Sequence, residues 1–524
     1  SLMSGYGRAR GAPYTPLENN ISQSVASSIG AMPAAAGLIS ALPALALLGT
    51  PVPPGWGLVL WAVALGALGV LVAHLFRARL LEREALPFPT GIATAEVISA
   101  MHASRGAGDG RPRAVLGAGA VAMVVCWLRD AWPRWVPALT AAPGKLVGQP
   151  AATFTLGVSW SPMLFAIGAM VGPRVGVSML LGALAGWGVA APALVGAGVA
   201  TLDGKDSFAG WLTWPGVGLM VGAATASLLG QARAFTGAAR DVRELGWRGL
   251  LRAKGARGAL GLGAVAALVT VGLGGMLFGL APVMTVLVLL LVLPLGSVVA
   301  RAAGQTDISP VSQMGQLTQA VAGGAGVQEM GRNVAAGAVA SSAMAQVGVS
   351  MWSLKAGHVL GASPRRQALA QLLGVAVGAS VGVPVYLLLV RAYGLGSEKL
   401  PAPSAVQAKA IAEVATHGLS GLPPYAALAA VAGLALGLVG TFAERGRLAR
   451  YLPSAAALGI GCIVPAFYSV SICLGSLLYA FARARSPERT ERYASSLAAG
   501  SIAGEALMGV LIAALVAAGV LSAG

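Results

Sequence analysis

Residues 282–300 read Pro-Val-Met-Thr-Val-Leu-Val-Leu-Leu-Leu-Val-Leu-Pro-Leu-Gly-Ser-Val-Val-Ala, a stretch without a charged side chain. Comparable apolar runs occupy residues 58–75 and 260–280. A run of about 18 apolar residues is long enough to cross a hydrocarbon core of roughly 30 Å. Because lipid offers no partner to backbone N–H and C=O groups, such runs must form helices. They recur along the chain, which predicts an all-α polytopic membrane protein.

The overall composition excludes a soluble protein. Of the 524 residues, 56% are hydrophobic and only 10% are charged, and the mean hydropathy is +0.77. Soluble domains carry about 25% charged residues. A net charge of +17 would suggest nucleic-acid binding in a soluble chain, but here the basic residues lie between apolar runs. This is the pattern of cytoplasmic loops, and the basic stretch 231–257 is predicted to be one of them. No nucleic-acid partner is expected.

Two segments of span length, residues 86–104 and 305–323, are too polar to face lipid. Each has an early proline, Pro89 or Pro310, that interrupts the helical hydrogen-bond ladder. Each also follows an apolar hairpin and a basic residue. We therefore predict broken or re-entrant helices at both places.

The order of these segments indicates a duplicated chain. Pro89 and Pro310 lie 221 residues apart, and a second pair of similar stretches begins at Ser178 and Ser471, 293 residues apart. We predict a polar N-terminal segment, two related membrane repeats and 14–16 transmembrane helices in total. The predicted bounds are 1–26 for the polar segment, 27–245 for the first repeat and 246–524 for the second.

Ionisable residues inside apolar segments are costly and commonly functional. Three carboxylates meet this description: Glu96, Asp307 and Glu505. A carboxylate in a poorly hydrated site can take up and release a proton near neutral pH, so we predict that these three residues couple transport to protons. The alternative is that each carboxylate accepts hydrogen bonds from a broken helix end and never titrates.

Broken polar segments at matching positions of two repeats point to a transporter's binding site. The alternative is that both segments only pack, without touching a solute. The predicted substrate-binding residues share polarity or a position at a helix break. They are Asn19, Asn20, Gln23, Pro89, Thr90, Arg174, Ser309, Pro310 and Gln313.

Two of these assignments have structural alternatives. Asn19 or Asn20 would also serve as a helix N-cap, because asparagine side chains accept hydrogen bonds from the first turn of a helix. Arg174 would also serve as an anchor at the membrane interface.

The sequence gives no support for catalysis or a resident metal. It contains no Gly-x-Ser-x-Gly, His-Glu-x-x-His or Walker A motif, and its four histidines are not paired at helical spacing. We predict no catalytic residues, no metal site and no cofactor, so energy for transport would come from an ion gradient.

Five stretches resemble the oligopeptide transporter family, which includes the yellow-stripe-like carriers. They lie in the family's order over most of the chain, and Leu-Pro-Phe-Pro-Thr-Gly-Ile-Ala-Thr-Ala-Glu is the most specific. The stretches are Leu17 to Ser24, Leu86 to Glu96, Ser161 to Val175, Lys355 to Arg366, and Ala503 to Leu507.

The resemblance implies a proton-driven secondary carrier of about sixteen spans in two related halves. The implied substrates are short peptides, modified peptides or metal ions held by amino-acid chelators. The family's polar segments map onto Asn19, Asn20, Gln23, Glu96 and Asp307. The compact chain suggests a bacterial inner-membrane protein, and the family suggests a homodimer.

We therefore expect proton-coupled symport of small peptides or similar zwitterions, with helix N-termini at the breaks attracting a substrate carboxylate. Two alternatives stay open within transport, a metal-chelate carrier and an exporter. A passive channel is a further alternative, and an intramembrane enzyme acting on lipid-linked substrates is the alternative from another class.

Overall fold

The computed structural model describes twelve parts of the chain. They are residues 14–103, 110–131, 136–202, 207–230, 234–238, 256–307, 309–327, 329–395, 400, 402–417, 422–444 and 452–521. Most of the basic stretch 231–257 lies outside these residues, so its predicted cytoplasmic location stays a prediction.

The described residues are predominantly helical, which confirms the predicted all-α class. The first-half helices are α1 Pro16–Ala35, α2 Ala41–Leu47, α3 Gly55–Arg77, α4 Pro89–Ala103, α5 Arg111–Asp130, α6 Pro162–Val171, α7 Pro173–Ala183, α8 Ala191–Gly196 and α9 Phe208–Gly230. The second-half helices are α10 Ala256–Phe278, α11 Pro282–Thr306, α12 Val311–Gly324, α13 Met330–Leu360, α14 Pro364–Tyr393, α15 Pro403–His417, α16 Ala426–Ala443, α17 Ala455–Ile463, α18 Ala466–Arg485 and α19 Pro487–Ala517.

Short irregular elements join some of these helices. Single π-helical stretches, Ala78–Arg83 and Leu184–Ala190, continue α3 and α7. Two small antiparallel ladders lie between α5 and α6, β1 with β4 and β2 with β3, together with a 3-10 turn. Their bounds are β1 Leu139–Ala141, β2 Lys145–Leu146, β3 Gln149–Pro150, the turn Ala151–Phe154 and β4 Gly157–Ser159.

Eleven of the described helices are long and apolar enough to cross a membrane, fewer than the 14–16 expected. Two predicted spans and both polar segments do not reach this length. The span predicted at 27–49 is split between α1 and α2, and α4 and α12, which form in the polar segments, have only 15 and 14 residues. The span predicted at 454–481 is also divided at Pro465, but α18 remains long enough to be counted. The span predicted at 152–171 includes the strand β4 and only the ten-residue α6.

The chain folds into two compact units that do not follow the predicted repeats. The first unit contains residues 1–107, 228–387 and 411–416, and the second contains 108–227, 388–410 and 417–524. Each unit therefore draws on both predicted repeats, and the repeat boundary at residue 245 stays a prediction.

The first unit is built around α13. This 31-residue helix is rich in Ala, Gly and Ser, and buried residues lie all around it. A helix that is buried on every side is a central helix of its bundle. Small residues let neighbours approach: Gly69 of α3 lies against the backbone of Ala343, and Gly348 lies against the side chain of Ser309. Large buried side chains, including Trp61, Phe76 and Phe88, fill the remaining core.

The second unit is held together by close helix contacts at glycines. Gly218 and Gly222 of α9 face the backbone of α16, while Gly500 and Gly504 of α19 face the backbone of α5. A Cβ atom at any of these four positions would meet a main-chain atom of the neighbouring helix. Packing of this kind is typical of helices in lipid, where small residues permit backbone contact. Gly172 is different, because it has φ +82° and forms the turn between α6 and α7.

Four contacts in the second unit occur as two exchanged pairs. Gly182 meets Leu458 and Gly475 meets Phe165; likewise, Gly168 meets Ile472 and Gly461 meets Met179. In each pair of contacts the two glycines lie 293 residues apart, and so do their two contact partners. The same spacing separates Ser178 from Ser471. Exchanged contacts of this kind are what a local two-fold relation between duplicated segments produces.

Candidate functional site

The breaks before α4 and after α11 lie side by side in the first unit. Phe88 donates its backbone N–H to Gly304 O at 3.0 Å. Thr90 donates its N–H to Asp307 Oδ1 at 3.1 Å and its hydroxyl to Asp307 Oδ2 at 2.6 Å. The structure therefore brings together three of the predicted residues, Pro89, Thr90 and Asp307.

The carboxylate of Asp307 caps the N-terminus of α4. Asp307 is in the left-handed region, with φ +59°, directly after α11 ends at Thr306. First-turn N–H groups lack intrahelical acceptors, and an anion there also interacts favourably with the helix dipole. Asp307 occupies this N-terminus in the structure, so a substrate carboxylate would have to displace it, and the expected attraction of the substrate to this helix end stays a prediction. This cap is the structural alternative set out for Asp307, whose role in proton coupling stays a prediction.

The second break lies against α13. Pro310 is buried, and Ser309 packs on Gly348 with its buried hydroxyl oxygen lacking a hydrogen-bond partner among the described residues. From there α12 turns back along α13, with Gly315 beside Ser341. Gln313 lies half-buried in the first turn of α12.

An ion pair reinforces the junction of the two breaks. Arg301 donates two hydrogen bonds of 2.7 Å to the carboxylate of Glu84. The Arg301 side chain is only 7% exposed, so the pair is shielded from solvent on one side. Arg301, with some help from Arg79, holds the pKa of Glu84 below its usual range, because hydrogen bonds from a guanidinium favour the ionised carboxylate.

Glu96 lies on the exposed face of α4. The buried positions Gly91, Ala95 and Ile98 follow helical spacing, and Glu96 lies on the opposite side of the helix. Glu96 is therefore not enclosed by the side chains of the described residues. Six residues separate Glu96 from the capped Thr90, which is about 9 Å along a helix. Glu96 and the Asp307 cap thus lie along the same helix.

The predicted residues of α1 lie in a buried polar layer. Asn20 is fully buried and accepts a hydrogen bond of 3.0 Å from Gln367 of α14, which also donates to the Ser353 carbonyl. Gln23 donates to Ser27 at 2.7 Å within the same helix. Asn19 is half-buried. No surface of Asn20 is open to a solute in this conformation, so its predicted substrate contact would need the layer to open.

The N-cap interpretation of Asn19 and Asn20 is wrong. The N-cap of α1 is Thr15, whose hydroxyl accepts from Glu18 N at 3.2 Å. Glu18 returns a bond by accepting from Thr15 N at 2.7 Å, which completes a capping box. The asparagines lie a full turn inside the helix.

The polar layer extends along α1, α13 and α14. Gln346 donates to Ser28 at 3.0 Å, and Gln371 donates to the Ser350 carbonyl at 3.2 Å. The buried polar atoms of this layer that have no partner among the described residues include Asn20 Nδ2, Gln23 Oε1, Gln346 Oε1, Ser353 Oγ and Gln371 Oε1. Buried polar groups are normally satisfied, and a polar pocket with several partners typically holds ordered water.

Glu505 is the third predicted carboxylate, and it caps a helix in the second unit. It accepts from Met163 N at 2.7 Å and from Ser161 Oγ at 2.8 Å, at the start of α6. Arg129 donates to it at 2.7 Å, and both side chains are nearly buried. The second partner of Arg129 is Asp130, which accepts two bonds of 2.7 Å. The carboxylate of Glu505 thus accepts hydrogen bonds from three residues, Ser161, Met163 and Arg129.

Arg174 contacts the residue that follows α16 and a residue that precedes α17, rather than lining an open site. It forms an ion pair of 3.0 Å with Glu444 and donates to the Leu452 carbonyl at 3.1 Å. Glu444 in turn accepts from Ala455 N at 2.8 Å, at the start of α17. Glu444 therefore caps a helix start with its carboxylate, as Asp307 and Glu505 do, although only 11 residues separate it from Ala455.

Two cations beside the predicted carboxylates were not selected from the sequence. Arg129 ends an apolar run and so resembles an ordinary interfacial anchor. Lys355 is 8% exposed and donates to the Leu86 carbonyl at 2.8 Å, next to the first break. Its position five residues before the end of α13 also suggests an anchor. These two residues differ from ordinary interfacial anchors only in being buried. Sequence spacing does not predict burial near the end of a helix.

Comparison with known proteins identifies the family. The sequence profile of the family described as OPT oligopeptide transporter protein matches residues 6–516. A Haemophilus influenzae protein named as an oligopeptide transporter is 27% identical, over 97% of this chain and 88% of that protein. A Saccharomyces cerevisiae protein of similar name is 24% identical, over 88% of this chain and 82% of that protein.

A shorter similarity reaches the yellow-stripe-like carriers. An Oryza sativa protein named as a metal-nicotianamine transporter is 27% identical over 40% of this chain and 30% of its own length. All these relatives are named as transporters, so the alternative of an intramembrane enzyme is not supported. With the family profile covering nearly the whole sequence, this integral membrane protein belongs to the oligopeptide transporter family.

Proposed function

We propose that this protein is a secondary carrier that couples proton movement to the symport of small peptides or similar zwitterionic solutes. The observation that carries the proposal is the family profile across residues 6–516, together with a relative named as an oligopeptide transporter that aligns with 97% of the chain. A bacterial inner membrane and a homodimeric assembly are parts of the same proposal.

The geometry supports Glu96 as the first candidate for carrying the proton. Asp307 and Glu505 are both engaged by helix N-termini, and Glu505 also by Arg129. Protonating either carboxylate would remove hydrogen bonds that hold a break in place. Glu96 lies on an exposed helix face near the Asp307 junction, so it can change its protonation without disturbing a cap.

A metal-chelate carrier is the second candidate function. It is favoured by the similarity to metal-nicotianamine transporters over 40% of the chain. An amino-acid chelator carries carboxylates and amines, as a peptide does, so the same polar site would suit either solute. The metal would enter as part of the substrate.

Uptake by purified protein in liposomes tests the proposal. A labelled tripeptide and a labelled nickel–nicotianamine complex are offered with and without an inward proton gradient. We expect the gradient to accelerate accumulation of at least one solute, with proton entry that requires the solute. Saturable uptake that ignores the gradient would contradict proton coupling, and conductance without saturation would indicate a channel.

A further inference from the structure

We propose that the ammonium group of Lys355 binds a carboxylate of the transported solute. This inference rests on the proposed function and assigns one part of the substrate to one residue. Neither the sequence motifs nor the similarity to named transporters assigns this role to Lys355.

The first argument is an unbalanced buried charge. Lys355 is 8% exposed, and its only described hydrogen bond is the one to the Leu86 carbonyl. Arg301, at 6%, is the other buried cation described in this unit, and it is neutralised by Glu84 through two hydrogen bonds. Among the described residues no carboxylate forms an ion pair with Lys355. A buried charge without a counter-ion is costly, so an anionic ligand would stabilise this site.

The second argument is the free hydrogen-bonding capacity of the ammonium group. An ammonium group has three donors, and the Leu86 carbonyl uses one of them. A Cβ atom on Gly91 would lie 2.7 Å from Lys355 Cβ, so the first turn of α4 rests directly on the lysine stem. The Asp307 carboxylate already caps this helix end, so the attraction for a further anion is assigned to the ammonium group and not to the helix dipole.

The third argument is a pair of unused donors on the side of α13 that carries Lys355. Ser309 Oγ and Trp352 Nε1 are buried atoms without a described partner. Ser309 packs on Gly348, and positions 348, 352 and 355 follow helical spacing on one side of α13. Hydroxyl and indole groups both donate hydrogen bonds, as the ammonium does. An acceptor-rich group is therefore the ligand that suits this side of the helix.

The ligand group that suits these donors is a carboxylate. A peptide carries one at its C-terminus, and an amino-acid chelator carries several on its side arms. The test uses the full chain in detergent and measures the thermal shift caused by trialanine, trialanine amide and nickel–nicotianamine. We expect the wild type to bind trialanine at least tenfold more tightly than the amide. In Lys355→Gln this preference should disappear, and Lys355→Arg should retain part of it. Lys145→Gln, at an exposed lysine of β2, is the control that should match the wild type.

The outcomes separate this inference from the proposed function. Wild-type protein that takes up the peptide but binds acid and amide equally would overturn the role of Lys355 and leave the transport function standing. An unchanged preference in Lys355→Gln would also overturn it. The wild-type comparison of acid with amide does not depend on a variant that folds. If neither the peptide nor the chelate is taken up, the proposed function fails and this inference fails with it.

Discussion

The carboxylate of Asp307 caps a helix that begins 218 residues earlier in the chain, through two hydrogen bonds to Thr90. The same junction contains the Phe88–Gly304 backbone bond and the Arg301–Glu84 ion pair. The two helix breaks are therefore joined to each other, and a substitution at one break is expected to affect the other.

Replacing the capping carboxylate tests the structural role of Asp307. We expect Asp307→Ala to lower stability by about 1 kcal/mol, the usual cost of removing an N-cap side chain. Asp307→Asn should cost less, because the amide oxygen still accepts one bond from Thr90. In detergent, the melting temperature should decrease in the order wild type, Asp307→Asn, Asp307→Ala.

Uptake by the same variants separates the cap from a proton carrier. If Asp307 is only a cap, then Asp307→Asn retains proton-driven uptake in proportion to the folded protein. Loss of gradient-driven uptake by a stable Asp307→Asn protein would contradict the cap interpretation and restore Asp307 as a proton-coupling residue.

The ion pair of Glu84 predicts a dependence of stability on pH. Arg301 lowers the pKa of Glu84 in the folded protein, so the folded state favours the ionised carboxylate. The resulting stabilisation is fully present above the pKa of an unfolded glutamate and is lost as the pH falls through the lower folded value. Melting temperatures measured from neutral to acidic pH should therefore decline less steeply in Glu84→Gln than in the wild type. Identical slopes would show that the pair contributes nothing.

Glu505 and Arg129 are expected to be strongly coupled. Removing one member of a buried ion pair leaves the other charge uncompensated, at a typical cost of about 3–5 kcal/mol. Glu505→Gln and Arg129→Gln should each lower the melting temperature, and the double variant should lose less than the sum of the two. Glu488→Gln, an exposed change on the same helix as Glu505, is the control. Additive losses would mean that the two side chains act independently.

Two glycines of α19 allow the close packing of helices to be tested with a matched pair of variants. A Cβ atom at Gly504 would collide with the backbone of Gly119, whereas at Gly509 it would meet nothing within 4 Å. We expect Gly504→Ala to cost about 1–3 kcal/mol, since overpacking displaces the neighbouring helix. Gly509→Ala should be neutral or stabilising by up to about 1 kcal/mol, because alanine favours the helix. Equal melting temperatures for the two variants would show that α5 and α19 separate without cost.

The sequence was sufficient for the class of fold, because apolar runs such as 282–300 have only one stable form in lipid. It also located the breaks at Pro89 and Pro310, each of which stands at the start of a helix. Proline alone does not decide a break, because Pro33, Pro215, Pro294 and Pro384 lie inside helices. The partners of the polar residues were not predictable. Thr90 and Asp307 are 217 residues apart, and Arg129 and Glu505 are 376 apart. Local spacing carries no information on such contacts, so the carboxylates were identified while their use as helix caps was not.

The span count and the burial of Lys355 show a second limit. Hydropathy treats residues 454–481 as one span, although Pro465 divides the stretch into α17 and α18. Similarly, a lysine near a helix end usually extends its ammonium to the membrane surface. Lys355 does not, because Gly91 lets α4 lie directly over it. A glycine 264 residues away thus decides the setting of this cation.

Glu96 provides the most direct test of proton coupling. Replacing the carboxylate by an amide removes the group that would carry the proton, while the exposed position on α4 means that no described hydrogen bond is lost. We expect Glu96→Gln to insert into the membrane and melt like the wild type, yet to lose at least tenfold in gradient-driven uptake of the solute. Exchange of labelled solute without a gradient should fall less, because it needs no net proton movement. Glu491→Gln removes an exposed carboxylate that pairs with Arg483, and it should retain full uptake because exposed ion pairs contribute little. Gradient-driven uptake by Glu96→Gln at the wild-type rate would remove Glu96 from the coupling mechanism, and the two predicted carboxylates that remain, Asp307 and Glu505, are both engaged in caps.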